Sequence, residues 1–324
     1  MTTGKRPDVP APPDHGSRVE PLPWQRPKPS AEDPEAPEKL ERILASPSYR
    51  QADEDILFLH RDENRGVRLQ LEYFKPQLAL EAYGIEHTIV VFGSSRIVEP
   101  AAAQVKVDAL KTAHEAHPDD EVLNRRLVIA RRIRDKSRYY DMAREFGRLV
   151  AESGEGPRDC RLVVMTGGGP GMMEAANRGA SDAGSATVGL NIHLPHEQYP
   201  NPYITPDLCF RFRYFALRKL HFLLRARALV AFPGGFGTFD ELFETLTLIQ
   251  TGKMPAVPIV LVGESYWRKA FDVDFLCEEG VIDDEDRELF RYAESADEVW
   301  NDIQRWYEEA GISLFAPGLP VDGE

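Results

Sequence analysis

Residues 228–250 read ALVAFPGGFGTFDELFETLTLIQ, and this stretch decides the fold. Leu229, Val230, Ala231 and Phe232 form an apolar run of strand length, which Pro233, Gly234 and Gly235 stop. Thr238 then opens a helix whose apolar positions, Leu242, Phe243, Leu246 and Ile249, share one face. The order is strand, glycine turn, helix start. Glycines let a backbone come close to a ligand. The free N–H groups and positive end of a helix N-terminus favour an anion, phosphate above all. Glu241 lies one turn into this helix, a position from which it could face a bound ligand. Thr238-Phe-Asp-Glu241 also fits a T-x-x-E capping box, in which the two side chains only close the helix end. The stretch alone leaves both roles open for Thr238 and Glu241.

The same order recurs upstream. Thr88-Ile-Val-Val-Phe92 is a buried-type strand ended by Gly93-Ser94-Ser95-Arg96. Arg161-Leu-Val-Val-Met165 runs into Thr166-Gly-Gly-Gly-Pro-Gly171 and a helix over 172–183, with Glu174 in its first turn. Turn and cap chemistry is the alternative role for Ser94, Ser95 and Glu174. Further strands are expected at Ala186–Asn191, Leu208–Phe212, Pro258–Val262 and, briefly, Leu289–Tyr292. Helices are expected over 100–117, 119–153 and 214–225. Ser295-Ala-Asp-Glu298 is a capping box opening a last helix to about Ala310. Strands alternating with helices predict an α/β fold, a doubly wound Rossmann-like parallel sheet with helices on both faces. Ligands bind such sheets beyond the C-terminal strand ends, so the loops at Gly93, Gly167 and Gly234 converge on one edge.

Composition narrows the function. A net charge of −14 argues against a general binder of nucleic acid or of acidic membranes. No apolar run is long enough for a bilayer span, and the N-terminus lacks the apolar core of a secretory signal, so a cytoplasmic protein is expected. Cys160, Cys209 and Cys277 have no metal-like spacing and read as reduced core fillers. Pro195 between His193 and His196 argues against a helical metal pair, so both are taken as loop histidines and no metal site is expected. A G-x-G-x-x-G dinucleotide fingerprint from Gly167 fails at Met172. Arg211, Arg213, Arg218, Lys219, His221, Arg225 and Arg227 cluster just before the Pro233 loop, which fits a phosphorylated substrate, with surface and interface arginines as the alternative role for most of the seven. Arg125, Arg126, Arg131, Arg132 and Arg134 read instead as a solvated helix face.

Residues 1–37 hold ten of the 25 prolines and few large apolar residues, and read as a disordered tail. Residues 38–84 read as a helical N-terminal extension, with Leu57, Leu59, Val67, Leu69, Leu71, Tyr73 and Phe74 as its apolar contacts. Pro76 suits the first turn of a new helix there. The nucleotide-binding catalytic domain is expected over 85–312, followed by a tail at 313–324.

Pro233-Gly-Gly-Phe-Gly-Thr-Phe-Asp-Glu241 matches the PGGxGTxxE motif of the Lonely Guy family, nucleoside 5′-monophosphate phosphoribohydrolases often mislabelled as lysine decarboxylases. Gly167-Gly-Gly-Pro-Gly-Met-Met-Glu174 resembles the glycine loop of its longer bacterial members. Arg218-Lys219 resembles the family's Arg-Lys pair, and Phe92-Gly-Ser-Ser95 its first-strand loop. The resemblance is clear over about 85–250. It implies hydrolysis of the N-glycosidic bond of an AMP-like nucleoside monophosphate to free base and ribose 5-phosphate, without metal or cofactor. It makes Arg218 and Glu241 the catalytic pair, and Gly234, Gly235, Gly237 and Thr238 the phosphate cradle. Gly93, Ser94, Gly168, Gly169, Glu174 and Lys219 join the substrate site. A homodimer with sites near the interface is also implied. Residues 100–153 are longer than in the small plant-type members, which favours general nucleotide turnover over a cytokinin-specific role.

The alternative is a non-catalytic nucleotide or cofactor carrier on the same fold. A lysine decarboxylase is weaker, because Lys219 and Lys253 lack the context of a pyridoxal phosphate lysine. A dehydrogenase is weaker again without the dinucleotide fingerprint.

Overall fold

The computed structural model describes residues 22–195 and 199–316, and the chain divides into two compact units, 1–68 and 69–324. Most of the proline-rich tail, His196 and most of the C-terminal tail therefore lie outside the described residues. The first unit holds α1 (Ala36–Leu44) and α2 (Ile56–Leu59). Leu57, expected to make apolar contacts, is exposed there. The second unit starts at Leu69, within α3 (Arg65–Ala82) and ahead of the Ile85 boundary read from sequence.

Pro76 lies inside α3 instead of opening a helix. The hydrogen bond its ring removes is offset by burial, since Pro76 and Leu80 are the buried residues of this helix. Leu71 and Phe74, by contrast, are exposed.

Among the described residues seven strands form one sheet, every neighbouring pair parallel. They are β1 (His87–Phe92), β2 (Leu162–Thr166), β3 (Thr187–Ile192), β4 (Cys209–Phe212), β5 (Ala226–Ala231), β6 (Ile259–Val262) and β7 (Arg291–Ala293), in the order β4-β3-β2-β1-β5-β6-β7. Side chains alternate between the sheet faces. Ile89, Val91 and Val230 enter one core with Tyr140, Phe146, Ala176, Val299 and Ile303. Val90, Phe92 and Leu229 enter the other with Leu80, Phe222, Leu242 and Trp267. The sheet is thus covered on both sides, which is why its strands read as continuous apolar runs.

The helices after β1 are α4 (Pro100–Ala116), α5 (Glu121–Asp135) and α6 (Arg138–Ala151). The single helix expected over 119–153 breaks at Lys136 and buried Ser137. Below the break, α4 and α5 pack on each other through Val107, Leu110, Leu127 and Ala130. Above it, α6 packs on α7 (Met172–Asp182) in the main core. Then come α8 (Phe215–Leu223), α9 (Phe236–Gln250), α10 (Glu264–Ala270), α11 (Val273–Glu278) and α12 (Ala296–Glu309). Ser295 caps α12, its Oγ accepting from the Glu298 amide at 3.1 Å. The three cysteines are free and half-buried: Cys160 packs against the core that holds Leu80 and Trp267, and Cys277 Sγ accepts from Arg287 Nε at 3.1 Å. No helix among the described residues is long and apolar enough to cross a membrane.

Candidate active site

The strand order reverses between β1 and β5, and a doubly wound sheet opens its ligand crevice at such a point. The two strand ends are tied together there. The Phe232 amide donates to the Phe92 carbonyl at 2.9 Å and the Ser94 amide to the Pro233 carbonyl at 3.0 Å. A cavity of about 1090 Å³ lies at this crevice, lined by Gly93 and Ser94 from one loop and by Pro233 to Glu241 from the other.

Helix α9 starts at Phe236, two residues before the expected Thr238, and its N-cap is Gly235. Gly235 has no side chain with which to cap, and the first turn carries no acidic residue. Among the described residues no acceptor takes the amides of Gly235, Phe236 and Gly237. This helix end is therefore open to an anion. Gly234 is required beneath it, because a Cβ there would sit 2.1 Å from Thr238 Oγ1. Tyr266 of α10 holds the turn, its hydroxyl donating to the Gly234 carbonyl at 2.5 Å. The end of α7 differs. Its first amide, that of Met172, donates to the Ser94 carbonyl at 3.1 Å, so the β1 loop already occupies it.

Glu241 is 7% exposed and its carboxylate has no hydrogen-bond or ion-pair partner among the described residues. The capping-box role is thereby removed: Thr238 is already the third residue of the helix and Glu241 lies in its second turn. Burial pushes the Glu241 carboxyl up to about 7, against the pull of the Lys219 and Arg218 charges. Arg218 of α8 lines the same cavity. Its Nε donates to the Leu190 carbonyl at 2.7 Å, and its guanidinium lies over the Phe222 ring, 5.0 Å from the centroid. It also lies against the β2 loop, where a Cβ on Gly167 would be 2.6 Å from Arg218 Nη2. Burial lowers the Arg218 pKa, and the guanidinium still keeps its proton.

The other expected site residues divide. Gly93, Ser94, Gly234, Gly235, Gly237 and Thr238 line the cavity with Arg218 and Glu241, whereas Gly168, Gly169, Glu174 and Lys219 do not. Gly168 and Gly169 are buried, and their carbonyls accept from the Asn201 amide (2.9 Å) and Asn201 Nδ2 (3.1 Å). Glu174 points to α6 and accepts from the Tyr140 hydroxyl at 2.8 Å. Lys219 ties α8 to α9, with Nζ 2.9 Å from both Asp240 and Glu244. It thereby fixes the spacing of the two helices that carry Arg218 and Glu241.

The basic cluster also disperses, since of its seven members only Arg218 reaches the cavity. His221 is no cation at neutral pH: it is buried between the Tyr73 and Phe212 rings, and burial pushes its pKa down to about 4. Arg225 pairs with Gln77 and Glu81 of α3, and His193 Nδ1 lies 2.7 Å from Arg211.

One positioning residue escaped the sequence reading. The Glu72 carboxylate of α3 accepts from the Arg213 amide at 2.7 Å and the Tyr214 amide at 3.2 Å, holding the turn that leads into the helix carrying Arg218. Local spacing gives no sign of an acceptor about 140 residues away. Phe215, Phe239, Phe243, Ile129, Ile133 and Met173 give the cavity an apolar wall, suited to a flat ring. Among the described residues no cluster of three or more His, Cys, Asp or Glu is placed to hold a metal ion.

A family model described as "possible lysine decarboxylase" matches residues 173–303. The cytokinin riboside 5′-monophosphate phosphoribohydrolase LOG of Oryza sativa subsp. japonica is 28% identical over 198 residues, 57% of this chain and 77% of that protein. The Arabidopsis thaliana protein LOG3, of the same description, is 27% identical over 175 residues, 53% of this chain and 77% of that protein. A solved structure, TM1055, is 21% identical with a TM-score of 0.41 and covers 68% of this chain and 99% of its own.

Proposed function

We propose that this chain, which belongs to the Lonely Guy (LOG) family, hydrolyses the N-glycosidic bond of a nucleoside 5′-monophosphate to free base and ribose 5-phosphate. One observation carries the reading: the buried, unpartnered Glu241 carboxyl shares a cavity with Arg218 and an open helix N-terminus.

In this reading the 5′-phosphate sits on the amides of Gly235, Phe236 and Gly237 and on Thr238 Oγ1. The base lies on the apolar wall. The C1′–N bond breaks with its electron pair leaving on the base, and positive charge develops on the sugar. The Glu241 carboxylate stabilises that charge and takes a proton from the water that adds to C1′. The proton then passes to the departing base. Arg218 supports negative charge on the base, because a group that never loses its proton is a poor proton donor. A carboxyl titrating near 7 is matched to proton transfer at neutral pH. Side chains and water carry every step, so the reading names no cofactor.

The relatives' names give cytokinin riboside 5′-monophosphates as substrates. Here α5 adds Ile129, Arg132 and Ile133 to the cavity, which favours a general AMP-like nucleotide. The protein of this reading is a cytoplasmic homodimer, for which light scattering in solution is the check. Incubation with AMP tests the reaction: adenine and ribose 5-phosphate are expected in equal amounts. AMP recovered intact from a tight complex would overturn it in favour of a carrier.

A further inference from the structure

Three cations face the cavity from the side opposite in sequence to the glycine cradle, and none has a carboxylate partner among the described residues. Arg132, in the last turn of α5, and Lys136, just beyond it, lie one turn apart on the face that also brings Ile129 and Ile133 to the cavity. Arg96 joins them from the loop after β1. Lys136 Nζ reaches only the Arg132 carbonyl, at 3.4 Å, and of Arg96 only the backbone amide is engaged, by Ser94 Oγ. Arg134, Arg138 and Arg178 pair with Asp135, Glu294 and Glu99, whereas Arg125, Arg126 and Arg131 of α5 also lack a carboxylate partner among the described residues but do not line the cavity. A helix C-terminus favours cations by itself, but that does not bring Arg96 from another loop to the same cavity.

The charge balance points the same way. The cavity is lined by Arg96, Arg132, Lys136 and Arg218 against Asp240 and Glu241, and Asp240 is already held by Lys219. A cationic cavity within a chain of net charge −14 selects anions. At about 1090 Å³ it lies just above the usual range of roughly 300–1,000 Å³ for ligand pockets, leaving room beyond a nucleoside monophosphate.

We propose that Arg96, Arg132 and Lys136 form a second anion subsite, taking a phosphoryl group additional to the 5′-phosphate at the α9 N-terminus. The proposal rests on the functional reading in placing that first phosphate. Two guanidinium forks and one ammonium suit a phosphoryl group in geometry and charge. The group belongs either to the nucleotide itself or to free inorganic phosphate bound beside it.

Calorimetric titration of the Glu241→Gln protein, in which turnover is slowed, tests this with AMP, ADP, adenosine 3′,5′-bisphosphate and inorganic phosphate as probes. Where the nucleotide carries the group, ADP or the bisphosphate binds at least about tenfold tighter than AMP. Adding Arg132→Gln and Lys136→Gln then removes that margin and changes the AMP affinity by less than about threefold. Where the group is free phosphate, the two nucleotides show no margin, and phosphate binding alongside AMP is lost in the same variant. An equal loss for AMP and the other nucleotides would assign the cations to the first phosphate and overturn the proposal. So would no change for any probe. Should no nucleotide bind at all, the hydrolase reading fails; phosphate binding that depends on Arg132 and Lys136 still upholds the subsite, and its absence overturns that too.

Discussion

Replacing Glu241 by Gln is expected to stabilise the protein above neutral pH while abolishing its activity. The carboxyl titrates near 7 in the folded chain, raised by burial from an ordinary 4.5. The folded state therefore binds this proton more tightly than the unfolded state does, and the charge on Glu241 opposes folding. That penalty is absent below about pH 4.5, grows as pH rises, and is complete above about pH 7. With 1.36 kcal/mol for each pH unit between the two values, it reaches about 3 kcal/mol. Gln fills nearly the same volume and carries no charge, so the variant escapes the penalty. For a unit of this size about 1 kcal/mol moves Tm by roughly 2 °C, so Glu241→Gln should melt about 6 °C above wild type at pH 8. The gap should close towards pH 4.5. Calorimetric melts across that range are the assay. Equal Tm at pH 8, or a gap that does not vary with pH, would refute a desolvated, unpaired Glu241 carboxylate.

Three further outcomes are expected. Glu72→Ala removes the acceptor of the Arg213 and Tyr214 amides ahead of α8 and should lower stability by about 1 kcal/mol, read from chemical denaturation, with a larger fall in kcat than that loss explains because Arg218 is released. Gly234→Ala drives a Cβ to within 2.1 Å of Thr238 Oγ1, so the cradle must shift, and steady-state kinetics should show KM for AMP rising about tenfold or more. Arg218→Lys keeps the charge but loses the bond to the Leu190 carbonyl and the planar fork, and kcat/KM should fall by roughly 10- to 100-fold.

The sheet was legible in the sequence because its strands are buried on both faces, so Thr88–Phe92 and Leu229–Phe232 stand out as unbroken apolar runs. Breaks without glycine or proline were not, and the turn between α5 and α6 passes through Lys136 and Ser137. Proline misled in the other direction at Pro76, where burial outweighs one missing hydrogen bond. The Pro233 loop was legible as a glycine turn leading into a helix, though its cap was assigned to Thr238. Gly235 caps with no side chain, and that is what leaves the amides open. The role of the Gly167 loop was hidden because it depends on the loop between β3 and β4. Asn201, which satisfies the Gly168 and Gly169 carbonyls, lies over 30 residues further along the chain. Lys219 was assigned to the substrate site, yet its partners Asp240 and Glu244 make it a tie between helices. Distant pairings of this kind follow from the crossover between β4 and β5, which no local pattern encodes.

The central claim is that Glu241 acts as a carboxylate in nucleotide hydrolysis, and kcat/KM for adenine release from AMP between pH 5 and pH 9 tests it most directly. Wild type should rise through an apparent pKa near 7 to a plateau, and Glu241→Gln should be slower by about 10²-fold or more with that rise absent. Adenine release by Glu241→Gln at the wild-type rate, or none from wild type at any pH, would contradict it.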